Sequence, residues 1–299
     1  AVAPILPNSP PPAMGRPPSF TSPYHPPMPD RPWTDEYTLL CEKCGYVIEG
    51  LDQSGNCPEC GKPIAESLPE RRVGTPWQQS PGVKSLLATW WMTLRHPLRT
   101  LDVMHLKERT TSGLTARTLL ISSSCMYLVL LLIELINPYS SLSVIGIAIL
   151  GAVGVIILIT VFVIFTEIEL SGLRIISKSR GFRVTEPIAY QIVSHGSVGW
   201  VWCGSLLASS LYCLGQSVIH GIEMNKYPKL PWSERPYVTG YTLSNYYDNL
   251  TVFFFLLSIL GFLFFETFAY LGLRRLKYAN RMRPESPSQG ATTRVEDAQ

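Results

Sequence analysis

The stretch VFFFLLSILGFLFF, Val252–Phe265, decides the fold. It carries one hydroxyl and no charge, whereas a helix on a soluble protein shows a polar face at every turn. Extended to Leu250–Leu273 it is long enough, at about 1.5 Å per residue, to cross a hydrocarbon layer of about 30 Å. Three more stretches have that length and character: Thr118–Ile136, Val144–Thr166 and Ser197–Ile219. Backbone groups in lipid must bond within their own segment, so all four are predicted to be helices. The fold class expected is therefore an all-α transmembrane bundle of about four spans.

Working outward, the composition of the rest differs sharply. Of the chain's 299 residues 46% are hydrophobic and only 16% charged, but the long apolar runs all follow residue 118. Residues 1–33 hold twelve of the 25 prolines, which block helix and central strand alike and predict a disordered, Pro-rich arm. Residues 34–76 carry the cysteine motif, residues 77–117 connect it to the membrane domain at 118–283, and the polar residues 284–299 read as a disordered tail. In the connector, Val83, Leu86, Leu87, Trp90, Trp91 and Leu94 recur at helical spacing with Lys84, Arg95 and His96 beside them. Two tryptophans with basic flanks suit a helix lying in the membrane interface, ending at Pro97.

Loop charges give the topology. Arg95, Arg99, Lys107, Arg109 and Arg117 precede the first span, Arg174, Lys178, Arg180 and Arg183 follow the second, and Arg274, Arg275, Lys277, Arg281 and Arg283 follow the fourth. The first loop, Asn137–Ser143, is uncharged. The positive-inside rule places both termini in the cytoplasm. Lys226, Lys229 and Arg235 then lie outside, among Tyr227, Trp232, Tyr237 and Tyr241, which suit an interfacial cap.

Cys41-Glu-Lys-Cys44-Gly45 and Cys57-Pro-Glu-Cys60-Gly61 are two Cys-x2-Cys-Gly knuckles separated by twelve residues. Four thiolates so spaced can surround one tetrahedral Zn2+, and the glycines permit the left-handed turn that closes each knuckle. The prediction is a small β-type zinc ribbon whose metal is structural, since four sulfurs leave no position open for a substrate. Spacing alone does not separate zinc from rubredoxin-type iron. Disulfides would need an oxidising compartment, against the charge topology, and a redox pair would need a thioredoxin-like pattern, which is missing. Between Cys41 and Arg72 six acidic residues face four basic ones, which argues against a nucleic-acid partner. Cys125, Cys203 and Cys213 fall in the predicted spans and read as small core residues.

The segments LLCEKCGYVIEGL and GNCPECGKPIAESLPERRVGTPWQ, with TWWMTLRHPLRT and FETFAYLGLRRLKYANR further on, closely resemble a set of planctomycete membrane proteins of unknown function. The resemblance spans roughly residues 37–283. It implies a cytoplasmic ribbon ahead of a helical membrane domain in a bacterial inner membrane. A weaker resemblance, carried by RGFRVTEPIAYQIVSHGSVGW, is to the Yip1-type membrane domain. Neither implies a reaction or catalytic residues.

Ionisable groups inside spans are costly and invite a functional reading. They are Glu134 in span one, Glu167 and Glu169 at the end of span two, His195 at the start of span three and Glu266 in span four. Glu167, His195 and Glu266, if brought together, could form a proton or cation site facing the cytoplasm. The leading expectation is a non-catalytic membrane protein whose ribbon or Pro-rich arm meets a protein partner or organises the membrane. The alternatives are a transporter or channel using Glu266 with Glu167 and His195, or an intramembrane metal-dependent enzyme. No HExxH, GxSxG, phosphate-loop or dinucleotide motif is present.

Overall fold

A computed structural model describes residues 35–106, 112–136, 144–225 and 237–283. The Pro-rich arm, the tail, the loops 107–111, 137–143 and 226–236, and the side chain of Glu134 lie outside the described residues.

The predicted spans are helices, and each outruns its apolar core. We label the helices α1 Pro76–Gln79, α2 Val83–Arg95, α3 Pro97–Val103, α4 Ser112–Ile136, α5 Val144–Ser179, α6 Glu186–Gly196, α7 Val198–Asn225 and α8 Tyr237–Arg275. The 36 residues of α5 and 39 of α8 reach about 54 and 58 Å, nearly twice a hydrocarbon layer. Three described segments are long and apolar enough to cross a membrane: Gly151–Ser179, Glu186–Val218 and Ser244–Arg275.

Helices α7 and α8 run antiparallel along most of their length, with α4 on the other side of α7 and α5 beside α4. The α7–α8 register is fixed by Gly199 beside Gly261, Ser210 Oγ donating to the Thr251 carbonyl at 2.9 Å, and Ser217 Oγ donating to Asp248 at 2.6 Å. At the crossing the backbones nearly touch. A Cβ on Gly261 would lie 2.6 Å from the Cys203 nitrogen and 2.9 Å from the Gly199 carbonyl oxygen. Gly261→Ala must therefore push α7 off α8, and overpacking of this kind costs about 1–3 kcal/mol. A fall in the melting temperature of the detergent-solubilised protein checks this; an unchanged melt would mean the crossing is looser than described.

Small residues on the helices differ in their surroundings. Gly204 and Ala208 are buried, Gly204 against Ser122 of α4, whereas Ala152 of α5 is exposed. Trp200 forms the centre of the bundle, stacked on Phe162 at 5.0 Å, 4.6 Å from Phe265, and donating its Nε1–H to Thr166.

Helix α6 is a separate element at the base of the bundle. Pro187 sits in its first turn, and from Ile188 to Gly196 all but Tyr190 are buried. It packs on α8, α5 and α4. The core around it includes Leu101, Met104 and Leu106 together with Ile188, Ile192, Phe268 and Leu276. The end of the head, as we call residues 35–106, thus shares one hydrophobic core with the base of the bundle through Leu101, Met104 and Leu106.

Helix α2 ends before Pro97, as expected, and presents two faces. Leu86, Thr89 and Thr93 are buried, and Trp90 packs beside Trp77, Leu86 and Leu114. Val83, Leu87 and Trp91 are 75%, 55% and 63% exposed on the adjoining face, with the Arg95 guanidinium 5.6 Å over the Trp91 ring.

Candidate metal centre

Each knuckle is a tight turn closed by one antiparallel bridge, Leu40 with Val47 and Asn56 with Pro63. The same bonds recur sixteen residues on: Cys41 N–H to the Tyr46 carbonyl and Cys57 N–H to the Lys62 carbonyl, both 2.8 Å, then Gly45 N–H to Cys41 and Gly61 N–H to Cys57. Gly45 and Gly61 have φ of +82° and +69°, the left-handed conformation anticipated for them. Gly45 has a second reason to lack a side chain, since a Cβ there would meet the Tyr278 ring at 3.0 Å. No strand forms among the described residues, so the β character expected of the ribbon is limited to these two bridges. Each arm turns back after too few residues to build a ladder.

The turns bring four sulfurs together. Cys41 and Cys60 Sγ are 3.5 Å apart, Cys44 and Cys57 Sγ 3.6 Å, and all four lie within 4.8 Å of one another. A disulfide needs about 2.0 Å. Four sulfurs at about 2.3 Å from a central Zn2+ would stand about 3.8 Å apart, so the spacing suits one tetrahedral ion. Burial opposes ionisation of Cys41, but the backbone N–H groups of Cys44 and Lys43 aim at its sulfur and bring its pKa down to about 7. The Cys44 and Cys60 thiols are held up, chiefly by burial and then by neighbouring sulfurs, despite N–H donors from Tyr46 and Lys62. A divalent cation at the centre reverses that balance and holds all four as thiolates. Cys41, Cys44, Cys57 and Cys60 are therefore a donor set that fits zinc, supplying structural cross-linking.

The knuckles are fastened to the bundle by polar groups, most of them buried, whose role in this joint the sequence pattern does not disclose. Asn280, just beyond α8, accepts from Leu40 N–H at 2.9 Å and donates to the carbonyls of Leu40 and Ser67 at 2.7 and 2.6 Å. Arg183, in the α5–α6 loop, donates to Asn280 Oδ1 at 2.6 Å and to the carbonyls of Ala279 and Thr38. Burial lowers its pKa to about 10, against the pull of Asp35, Glu36 and Glu42, which leaves it charged at neutral pH. Beside the knuckle, the buried Arg72 binds Glu42 at 2.8 Å and the Leu101 carbonyl at 2.8 Å. Arg275 grips Asp102 through two nitrogens at 2.7 and 3.0 Å.

The three ionisable residues expected near one another do not form a ligand group. Glu167 is exposed on α5. His195 is fully buried in α6, its Nδ1 2.8 Å from the Gln191 carbonyl and its Nε2 3.1 Å from Thr75 Oγ1 of the head. Glu266 faces Glu169 rather than Glu167, because residues two apart on a helix face different sides. Among the described residues the four cysteines are the one group with metal-ligand spacing. Of the remaining cysteines, Cys213 is buried and Cys125 and Cys203 are partly so. No protein-family model, curated protein or solved structure matches the chain.

Proposed function

We propose that this is a non-catalytic integral membrane protein in which α4, α5, α7 and α8 span the bilayer and a zinc-bearing head closes the cytoplasmic end. The observation that carries this reading is the four-sulfur cluster on a head keyed into the bundle through Asn280 and Arg183. A closed thiolate shell offers no site for chemistry, and a head so fixed is a rigid platform for a protein partner or for membrane organisation. Tyr46 and Leu51 stand exposed on the knuckle loops as contact groups. The exposed stripe of α2 lies in the membrane interface, held at the level of the first span by Trp90, whose Nε1–H reaches Thr118 at 3.2 Å.

Alkaline carbonate extraction of cell membranes, followed by elemental analysis of the detergent-purified protein, tests this. The protein should stay in the membrane pellet and carry about one zinc per chain. Trypsin should reach the head in inside-out vesicles and spare it in right-side-out ones. Release by carbonate, intramolecular disulfides in the purified chain, or a head digested from the outside would each overturn the reading.

A further inference from the structure

A cavity of about 410 Å3 opens between the metal knuckles and the end of α8. Lys43 and Lys62 from the knuckles, Arg71 from the turn after them, and Arg274, Arg275 and Lys277 from the bundle line it. Three carboxylates share the wall: Glu42, Glu66 and Asp102. Two of these are already engaged. Glu42 sets one oxygen 2.8 Å from the buried Arg72 and the other 3.6 Å from Lys62 and 3.8 Å from Arg71. Asp102 is gripped by Arg275.

Lys43, Arg274 and Lys277 form no ion pair among the described residues. Lys43 Nζ reaches only the Cys60 carbonyl at 3.5 Å, Arg274 donates to the Tyr270 hydroxyl at 3.2 Å, and the Lys277 ammonium lies 5.2 Å over the Tyr278 ring. Six cations against three carboxylates leave a surplus of three positive charges around one concave space. Such a surplus is self-repelling unless an anion enters.

We propose that this cavity binds a phosphate group. A phosphate monoester carries about −1.5 to −2 charges and three acceptor oxygens, enough to engage a guanidinium fork and two ammonium groups together. A single carboxylate offers half the charge. Arg274 and Arg275 end Ser244–Arg275, a segment long and apolar enough to cross a membrane, so the cavity lies at the end of α8 from which a lipid headgroup could be reached. The phosphate monoester comes either from a membrane lipid that carries one, such as phosphatidate, or from a soluble phosphate ester. The proposal does not depend on the head having a protein partner.

The experiment uses the full chain, delipidated in a neutral detergent at low salt. Its probes are phosphatidate, with phosphatidylcholine as zwitterionic control, followed by native mass spectrometry, and glycerol 3-phosphate, followed by calorimetry. Phosphatidate binding well above phosphatidylcholine identifies a lipid source, and binding of glycerol 3-phosphate alone a soluble one; both support the site. The combined variant Lys43→Gln, Arg274→Gln, Lys277→Gln should bind whichever probe the wild type binds at least about tenfold more weakly. The charge-keeping variant Lys43→Arg, Arg274→Lys, Lys277→Arg should bind within about threefold of wild type, with zinc content unchanged in both. If the glutamine variant loses zinc, the single exposed change Arg274→Gln replaces it and should still weaken binding. The site is overturned if neither probe binds, or if removing these charges leaves the affinity as it was.

Discussion

Cys57→Ser should leave the chain without its metal and open the head. In the purified wild type elemental analysis should give about one zinc per chain, and in the variant close to none. Structural zinc contributes about 10–16 kcal/mol in small zinc modules, comparable with the whole stability of an ordinary domain. The knuckles have little else. Their own buried cluster is Cys41, Ile48, Cys57 and Ile64, and two of those four are ligands. Without the ion, the three remaining thiols stand together with only their weak hydrogen bonds. The opening should not stop there, because the Leu40 backbone that begins the first knuckle is bonded on both sides to Asn280. Trypsin should therefore cut the variant at Lys43 and Arg71, and also at Arg183 and Arg281, which are buried in the intact protein. A strong chelator acting on the wild type should reproduce both sets of cuts. Cleavage confined to the knuckles, with Arg183 and Arg281 still protected, would show that head and bundle fold independently.

The parts of this architecture that the sequence revealed are those written in local pattern. Hydropathy identified the apolar middle of every long helix, and Cys-x2-Cys-Gly spacing identified the metal donors. Hydropathy cannot see where a helix continues beyond its most apolar run. Glu167–Ser179 of α5 and Tyr237–Asn249 of α8 are polar enough to look like loop, yet both extend the helix of their span. Lys178, Arg180 and Arg183 all read as topology charges in the sequence, because they are basic and near a span. Only the fold distinguishes the exposed Lys178 and Arg180 from Arg183, buried against carbonyls of both the head and the α8 end. His195 is visible in the sequence as a titratable group near a span, but its neighbour Thr75 is 120 residues away and no periodicity links them. The contact between Leu40 and Asn280 spans 240 residues and is still less visible. A polar side chain that bonds backbone leaves no complementary residue type to search for.

Asn280→Ala should be among the most damaging single changes outside the cysteines. The amide is buried and makes four hydrogen bonds, with the Leu40 N–H, the Leu40 and Ser67 carbonyls and the Arg183 guanidinium. Truncation leaves all four partners facing a cavity. An unmet buried group costs about 1–3 kcal/mol, and with some relaxation the total should be about 3–5 kcal/mol. For a chain of this size that lowers the melting temperature by about 10 °C. Zinc should still load to completion, because no ligand is touched, but a chelator should strip it at lower concentration, since head and ion are stabilised together. Asn280→Asp separates the two halves of the amide's work. It keeps an acceptor for Leu40 N–H and pairs with Arg183, but sets a carboxylate against two carbonyls that require a donor, so it should fall between wild type and Asn280→Ala. Arg283→Ala provides the contrast. Its pair with Asp35 is exposed on both sides at 3.3 Å, and such pairs contribute about 0–1 kcal/mol. Scanning calorimetry of the four proteins in one detergent decides the matter. If Asn280→Ala melts with Arg283→Ala near the wild type, the head rests on the bundle without being held by it, and the metal serves the knuckles alone.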